Sequence, residues 1–215
     1  MKPAFSVDQL SRPEVIRNPY PYYDLLRDQS PVFGYRDFPP GTMPGVDDPK
    51  PSWVVLNFDD VAAVAWDFCY YWFHRCSHEI SVLWAAHAVH HQSEDYNLTT
   101  ALRQTSSGFL FGWIFYLPLF LIGFPFEVLV TVSAVNLIYQ FWVHTQVIDR
   151  LGIIDRILVT PSNHRVHHAQ NAQYIDKNYG GIFIFWDRLF GTYAAEDSRE
   201  PVIFGVRKPL ASWNP

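Results

Sequence analysis

The stretch SSGFLFGWIFYLPLFLIGFPFEVLVTVSAVNLIYQFWV, residues 106–143, is apolar almost throughout and is interrupted only around Gly123 to Glu127. It is too long for one helix and divides into two runs of roughly 16 to 18 residues, each about 25 Å long as a helix. The pattern predicts a membrane hairpin that enters and leaves the bilayer on one side, with Glu127 near its far tip. A buried core hairpin of a soluble protein is the alternative reading of the same pattern.

The charges around this hairpin predict its orientation. Arg103 precedes it, and Arg150, Arg156 and Arg165 follow it, which places both ends in the cytoplasm under the positive-inside rule. The first ten residues, MKPAFSVDQL, lack the apolar stretch of a secretory signal. The net charge is −5 and there is no basic run, so a nucleic-acid partner is not expected.

Histidines flank the hairpin in three short motifs. HRCSH at residues 74–78 and HAVHH at 87–91 precede it, and HRVHH at 164–168 follows it. On a helix, positions i, i+3 and i+4 share one face, and neutral imidazole is the commonest metal ligand in proteins. Eight imidazoles exceed what one ion takes, so the motifs predict two metal ions. The predicted ligands are His74, His78, His87, His90, His91, His164, His167 and His168, with His144 of FWVHTQ as a further candidate.

Three carboxylates are candidates for supporting these imidazoles, since ligating histidines usually donate their second N–H to a carboxylate or a carbonyl. Positions 67, 71, 74 and 78 form one stripe of a helix, so Asp67 could orient an imidazole, as could Glu79 or Glu94. A solvated or capping role is the alternative for each. Cys69 and Cys76 would lie about 10 Å apart along that helix, which is too far for a disulfide, so we expect free thiols.

Metal binding by imidazoles beside a membrane limits which metal ions and which reactions fit the sequence. Zinc would supply a Lewis acid for hydrolysis, but hydrolytic zinc sites need only three protein ligands and a water. Two iron ions suit eight imidazoles better and could activate dioxygen against an unactivated C–H bond of a lipid held beside the hairpin. The sequence has no GxSxG, GxGxxG or P-loop motif, so electrons would come from a separate donor.

The three histidine motifs, with the hairpin between the second and the third, resemble the fatty acid hydroxylase and sterol desaturase superfamily of non-haem di-iron membrane oxygenases. Three segments are most similar to its alkylglycerol monooxygenase branch: HHQSEDYNLTTALRQ (90–104), YQFWVHTQVIDRLG (139–152) and TPSNHRVHHAQNAQYIDKNYGGIFIFWDRLFGTYAAE (160–196). The resemblance covers about residues 66–213.

This resemblance implies a mainly α-helical integral membrane domain with a cytosolic cap that carries the histidine cluster. It implies metal-ligand roles for the eight histidines of the motifs, two iron ions, and tetrahydrobiopterin as reductant, with Glu79 at a position associated with pterin use. The implied substrate is an ether lipid, and a sterol or a fatty acyl chain is the alternative.

The first 64 residues differ from that pattern. NPYPYYDLLRDQSPVF (18–33) is typical of a short helix after a turn, residues 38–52 of a loop, and WVVLNFDD (53–60) of a strand. Together they resemble the amino-terminal part of haem-thiolate cytochrome monooxygenases. The FxxGxRxCxG loop that binds haem is absent, so no haem is predicted.

We therefore predict two domains: a truncated soluble α/β-like segment at residues 1–64, and a di-iron membrane domain at residues 65–215. The joint near residues 64–67 reads as a gene fusion or an assembly error. Two functional hypotheses stay open. One is a di-iron, O2-dependent lipid monooxygenase, and the other is a non-enzymatic membrane fragment that binds metal.

Overall fold

The computed structural model describes residues 12–14, 21, 32–34, 53–55, 58–104 and 107–208. The chain divides into two compact units, Met1–Val61 and Ala62–Pro215. In the first unit, strands β1 (Val32–Gly34) and β2 (Trp53–Val55) form an antiparallel pair. The helix predicted within residues 18–33 and the loop at 38–52 fall almost wholly outside the described residues. The strand predicted for 53–60 is shorter than expected, because a helix begins at Phe58.

Helices α1 (Phe58–Glu79) and α2 (Ser81–His91) follow. The helical pattern of residues 66–84 is confirmed except at Ile80, whose extended backbone (φ −106°, ψ 117°) separates the two helices. This break lets the imidazoles of α2 meet those of α1. Cys69 and Cys76 both lie in α1 and are free thiols, as expected.

The apolar stretch forms helices α3 (Phe109–Leu121) and α4 (Phe126–Val143). They are joined at the predicted GFPFE turn, where Gly123 has a left-handed backbone (φ 97°). Helix α3, with 13 residues, is shorter than predicted because it starts only after Gly108. Helix α4 is long and apolar enough to cross a membrane by length and composition, whereas α3 is a shorter apolar helix.

Half of the 18 residues of helix α4 are exposed, and few are buried. Its buried residues are Leu129, Asn136 and Val143, which are spaced by seven and therefore share one face. The remaining surface includes large aliphatic side chains such as Leu137 and Ile138, which are 64% and 73% exposed. The core that joins α1 to the hairpin consists of Ala62, Trp66, Cys69, Leu119, Phe124 and Leu129. An apolar helix that buries only one narrow face exposes an apolar surface of the kind that contacts a membrane or another protein.

Short elements build the rest of the second unit, one of them before the hairpin and three after it. They are 3-10 helices at Thr100–Leu102 and Ile154–Arg156, helix α5 (Pro161–His167) and helix α6 (Phe185–Phe190). Helix α5 begins at Pro161, because the Thr160 side chain accepts from the backbone N–H of Asn163 and Pro161 occupies the first turn. Helix α5 therefore carries the third histidine motif on a fixed backbone.

Candidate metal centre

All nine histidines converge in two groups. The five-histidine cluster contains His74, His78, His87, His91 and His167, and the four-histidine cluster contains His90, His144, His164 and His168. Within each cluster the potential ligand atoms all lie within 4.8 Å of one another. Each HxxHH motif contributes to both clusters, so the repeated motif places imidazoles on two neighbouring sites at once. His144, at the end of α4, joins them from the hairpin.

The four-histidine cluster has a hydrogen-bonding pattern that suits a bound cation. His144 Nδ1 lies 2.7 Å from the carbonyl oxygen of Gln140, and His90 Nδ1 lies 3.2 Å from that of Arg103. A carbonyl only accepts, so each Nδ1 carries the proton and each Nε2 is left with a lone pair. These two Nε2 atoms nevertheless face each other at 3.2 Å. Two acceptors at this distance repel unless a positive charge lies between them.

A proton does not supply that charge, because burial lowers the pKa of His90 to about 4 and that of His144 to about 3. A metal ion fits instead. Two nitrogens at right angles on one ion are about 3.0 Å apart when each metal–nitrogen bond is about 2.1 Å. The Nε2 of His164 lies 3.0 Å from that of His144, so a third imidazole nitrogen lies at the spacing that one ion would give.

The five-histidine cluster repeats the arrangement. His87 Nε2 lies 3.1 Å from the Nε2 atoms of His74 and of His91. His74 Nδ1 donates to the carbonyl of Tyr179 at 2.8 Å, and His167 Nδ1 donates to that of Lys177 at 3.1 Å. The Nε2 atoms of His78 and His167 are buried and have no hydrogen-bond partner within the described residues. Buried polar atoms without a partner are rare in native structures, and a metal ligand role accounts for them.

A buried aspartate fixes the carbonyl that orients His74. The Asp187 carboxylate accepts hydrogen bonds from the backbone N–H groups of Tyr179 (2.7 Å) and Gly180 (2.8 Å), and from the Thr192 hydroxyl (2.7 Å). Burial raises the pKa of Asp187. These bonds hold residues 179 and 180 in place, so Asp187 supports the five-histidine cluster through the backbone.

Asp67 differs from the expectation that it orients an imidazole. Its carboxylate accepts from the backbone N–H groups of Ile182 (2.7 Å) and Phe183 (3.2 Å) and from Trp186 Nε1 (3.0 Å). His74 lies seven residues away, about 10 Å along the helix, and its Nδ1 already bonds Tyr179. Burial raises the pKa of Asp67 to about 6. Asp67 therefore anchors the segment beside the site and not an imidazole.

The same segment passes so close to α1 and α4 that it needs glycine. A Cβ added at Gly181 would lie 2.7 Å from Asn136 Nδ2, 2.8 Å from Asp67 Oδ1 and 2.8 Å from Tyr70 Cδ1. Asn136 belongs to α4 and Asp67 and Tyr70 belong to α1. Gly181 thus lets the backbone of this segment approach α1 and α4 closely.

A cavity of about 370 Å³ opens onto one side of the centre. Four histidines line it, His78, His91, His167 and His168, and the rest of the lining includes Trp84, Asp176, Arg207 and Lys208. Three of the four histidines belong to the five-histidine cluster. An exogenous molecule that enters this cavity would therefore reach that cluster first.

The other two predicted carboxylates lie at the edge. Glu79 pairs with Arg75 at 2.8 Å on the surface of α1. Burial and the nearby Glu79 raise the pKa of Asp176, which lines the cavity. Glu94 is exposed. Within the described residues, neither Glu79 nor Glu94 hydrogen-bonds an imidazole.

Sequence reasoning missed the groups that hold the imidazoles. They are mostly backbone carbonyls, at Arg103, Gln140, Lys177 and Tyr179, and a carbonyl has no signature in the sequence. The Gly180–Gly181 pair was the one available signal, because paired glycines mark a close backbone approach. Asp187, seven residues beyond Gly180, is a carboxylate near enough in the sequence to bond the backbone N–H groups of that segment.

Comparison with known proteins agrees with this geometry. Residues 61–192 match the fatty acid hydroxylase family, and the chain belongs to that family. This span contains every histidine of the two clusters.

Among individual relatives, alkylglycerol monooxygenase of Homo sapiens is 52% identical over 149 residues, which are 69% of this chain and 33% of that protein. Alkylglycerol monooxygenase of Danio rerio is 52% identical over 147 residues, 68% of this chain and 32% of that protein. An ornithine lipid hydroxylase of Rhizobium tropici is 34% identical over 135 residues, 59% of this chain and 39% of that protein. The chain thus spans about a third of the length of the alkylglycerol monooxygenases. No solved structure matches.

Proposed function

We propose that this chain provides the di-iron centre of an O2-dependent lipid monooxygenase that acts on ether lipids of the alkylglycerol class. The observation that carries the proposal is the pair of facing acceptor nitrogens on His90 and His144, held 3.2 Å apart by carbonyl groups on their Nδ1 atoms. Each of the two imidazole clusters needs its own cation, and together they offer nine nitrogens for two ions.

Iron is favoured over zinc by the number of donors, because a catalytic zinc site uses three protein ligands. Two iron ions would supply the activation of dioxygen needed to oxidise an unactivated C–H bond. The chain's own groups prepare the ligands: carbonyls fix the tautomers of four of them, His74, His90, His144 and His167. Burial keeps the imidazoles neutral, with the pKa of His74 lowered to about 4. The Nε2 lone pairs are therefore aimed inward before any ion binds.

The proposed reaction places one atom of dioxygen in the C–H bond next to the ether oxygen. The second atom leaves as water, using two electrons and two protons from an external donor. The product is a hemiacetal, which divides into a glycerol and an aldehyde. Similarity to alkylglycerol monooxygenases supports an ether-lipid substrate, and a sterol or a fatty acyl chain is the runner-up.

We propose that the hairpin lies in the membrane and presents the lipid to the centre. Support comes from the exposed apolar surface of α3 and α4, including Trp113, Leu121 and Ile138. Arg150 and Arg156, after the hairpin, favour a cytosolic histidine face. Labelling of Glu127→Cys tests this topology: an impermeant reagent that reaches the residue only from the cytosolic side would contradict it.

The cavity beside the five-histidine cluster is the proposed entry for the reductant. A reduced pterin is flat and carries N–H groups, so the ring of Trp84 suits stacking and the carboxylate of Asp176 suits hydrogen bonding. Glu79 lies outside the lining of this cavity but acts on Asp176 through its charge. This is how Glu79 would affect pterin use.

Metal analysis with a Mössbauer spectrum of the detergent-purified full chain tests the proposal. We expect about two iron ions per chain with a coupled signal, and turnover of an alkylglycerol that requires oxygen and a reduced pterin. Zinc alone, or no metal, would overturn the di-iron centre. Coupled iron with turnover of a sterol or acyl lipid only would overturn the ether-lipid assignment.

A second candidate is a membrane fragment that binds metal without turnover. The same sample separates the two functions, because a coupled iron signal without turnover of any of the three lipids would support the fragment.

A further inference from the structure

A second cavity, of about 540 Å³, lies on the side of α5 and α6 that faces the loop after α4. We call it the arginine cleft. It is lined by Arg150, Arg156 and Arg188 together with Asp155, Tyr193 and Glu196. None of these residues belongs to either histidine cluster, so the cleft is separate from the metal centre.

The carboxylates of the arginine cleft are already engaged. Glu196 accepts two hydrogen bonds from the Arg165 guanidinium, at 2.9 and 2.7 Å, and one from Ser162 at 2.7 Å. Asp155 accepts from the Thr160 hydroxyl at 2.5 Å. The remaining acceptor capacity for other donors in the cleft is therefore small.

The three arginines that line the cleft outnumber its two carboxylates, although the charge of Arg150 also acts on Glu196. Arg188 packs over the ring of Tyr193 at 3.7 Å. Neither Arg188, Arg150 nor Arg156 forms an ion pair with another residue among those the structure describes. Guanidinium groups that line one cleft and form no ion pair are suited to binding phosphate.

The same part of the chain carries exposed aliphatic side chains. Between and beside Arg150 and Arg156, residues Ile153, Ile154 and Ile157 are 72%, 43% and 55% exposed. Leu189, next to Arg188, is exposed as well. This stretch begins seven residues after the last residue of α4. Arginine interleaved with exposed aliphatic residues next to a proposed membrane helix is typical of a segment in the membrane interface.

We propose that the arginine cleft binds the phosphodiester of an anionic phospholipid, at the membrane surface where α4 ends, while the neighbouring isoleucines contact its glycerol and acyl region. Charge complementarity and continuity with α4 select a lipid over a soluble anion. The inference rests on the proposed membrane attachment of the hairpin and is independent of the proposed catalysis.

The test uses the full chain in neutral detergent, mixed with phosphatidylglycerol or with phosphatidylcholine. Both lipids carry a phosphodiester, but only the second carries a compensating choline cation. After gel filtration, the lipid retained per chain is counted by mass spectrometry. We expect phosphatidylglycerol to be retained in preference to phosphatidylcholine, and inorganic phosphate at equal concentration not to displace it.

The matched variants are the double substitution Arg156→Gln with Arg188→Gln, and Arg199→Gln as control. Arg199 lies outside the cleft and its side chain is 86% exposed. The double variant is expected to lose a factor of about 25 in lipid preference, because each basic residue near an anionic headgroup contributes about fivefold. The control removes one positive charge outside the cleft, so its preference for phosphatidylglycerol should fall much less.

Equal retention of the two lipids by the natural chain would overturn the proposal, as would a double variant that keeps the preference. If inorganic phosphate displaces the lipid, the cleft binds a soluble anion, and the proposal of a phospholipid site is overturned as well. A salt titration of the natural chain gives the same test without a variant, since retention should fall as salt screens the cleft. Iron content measured on the same samples reports the proposed function separately, so either idea can fail alone.

Discussion

The two histidine clusters use the same side chain but differ in their surroundings. In the four-histidine cluster, only His168 reaches the cavity, and His90 and His144 are held by carbonyls next to α2 and α4. In the five-histidine cluster, three histidines line the cavity. The comparison indicates a closed site that is shaped by the hairpin and an open site that is shaped by the segment around Tyr179. We expect the open site to receive exogenous molecules.

Removing one imidazole from either cluster should have the largest effect on iron binding and turnover. His90→Ala removes one of the two facing acceptors of the closed cluster, and His167→Ala removes a ligand of the open cluster. We expect each to lower iron affinity at least about 10- to 100-fold, the range reported for losing only a supporting partner, and to abolish turnover. Iron per chain, thermal midpoint and turnover are measured together.

Ser93→Ala, two residues beyond His91, is the control for this pair and should keep two ions per chain. The closed cluster has one ligand fewer, so His90→Ala should lose more iron than His167→Ala. A variant of either cluster with full iron and full turnover would show that its histidine is not a ligand.

Gly181→Ala should disturb both clusters together. Its Cβ would fall within 2.8 Å of Asn136, Asp67 and Tyr70, so the segment has to move away from α1 and α4. Overpacking of this kind costs about 1–3 kcal/mol of unfolding free energy. We expect a lower thermal midpoint and iron loss from both sites.

Gly112→Ala is the matched control, because its nearest neighbour is Phe73 at 3.5 Å, an ordinary contact. Within helix α3 the added methyl group should be neutral or stabilising. Equal midpoints for the two variants would contradict the close approach at Gly181.

Asp187→Asn should affect the open cluster alone. An amide oxygen replaces one carboxylate oxygen and an NH2 group replaces the other, so one of the backbone N–H groups of Tyr179 and Gly180 loses its acceptor. The Tyr179 carbonyl then orients His74 less firmly, and we expect about a tenfold lower iron affinity at that site. Iron titration monitored by Mössbauer spectroscopy resolves the two sites. Equal weakening of both would mean that the clusters share their support.

Glu79→Gln should have the smallest effect, and it tests whether Glu79 influences the cavity beside the five-histidine cluster. The residue is exposed and its pair with Arg75 is a surface pair, so stability should change by less than about 0.5 kcal/mol. If Glu79 acts on the cavity through Asp176, its neutralisation lowers the pKa of Asp176 and favours the carboxylate that would bond the pterin. The KM for a reduced pterin should then fall by up to about fivefold while the KM for the lipid stays constant. Glu94→Gln, at an exposed residue that is not part of the cavity lining, should leave both constants unchanged.

Local patterns in the sequence predicted the parts of the site that depend on helical periodicity. The histidine motifs, the hairpin with its turn at GFPFE and the inclusion of His144 required only the spacing of residues along a helix. The spacing does not tell which imidazole joins which cluster, because i, i+3 and i+4 lie on one face. That division depends on the break at Ile80 and on the packing of α5, which are tertiary features.

Other parts of the site had no local pattern. The cavity combines residues from α2, from the segment near Asp176 and from residues 205–208, which are distant in the sequence. Asp67 was predicted on the correct helix face, but its partners are backbone donors 115 and 116 residues away. Burial of a charged residue indicates that it is bonded, yet it does not identify the partner.

The use of carbonyls to orient the imidazoles has a consequence for how this protein can diverge. Every residue has the same carbonyl, so Arg103, Gln140 and Lys177 can be exchanged for other residues without removing the acceptor that each provides. Inserting or deleting one residue between Asp176 and Gly181 would instead present the wrong carbonyl to His74 and His167. The centre should therefore tolerate drift in amino-acid identity at these positions, but very little change in the length of the segments that carry them.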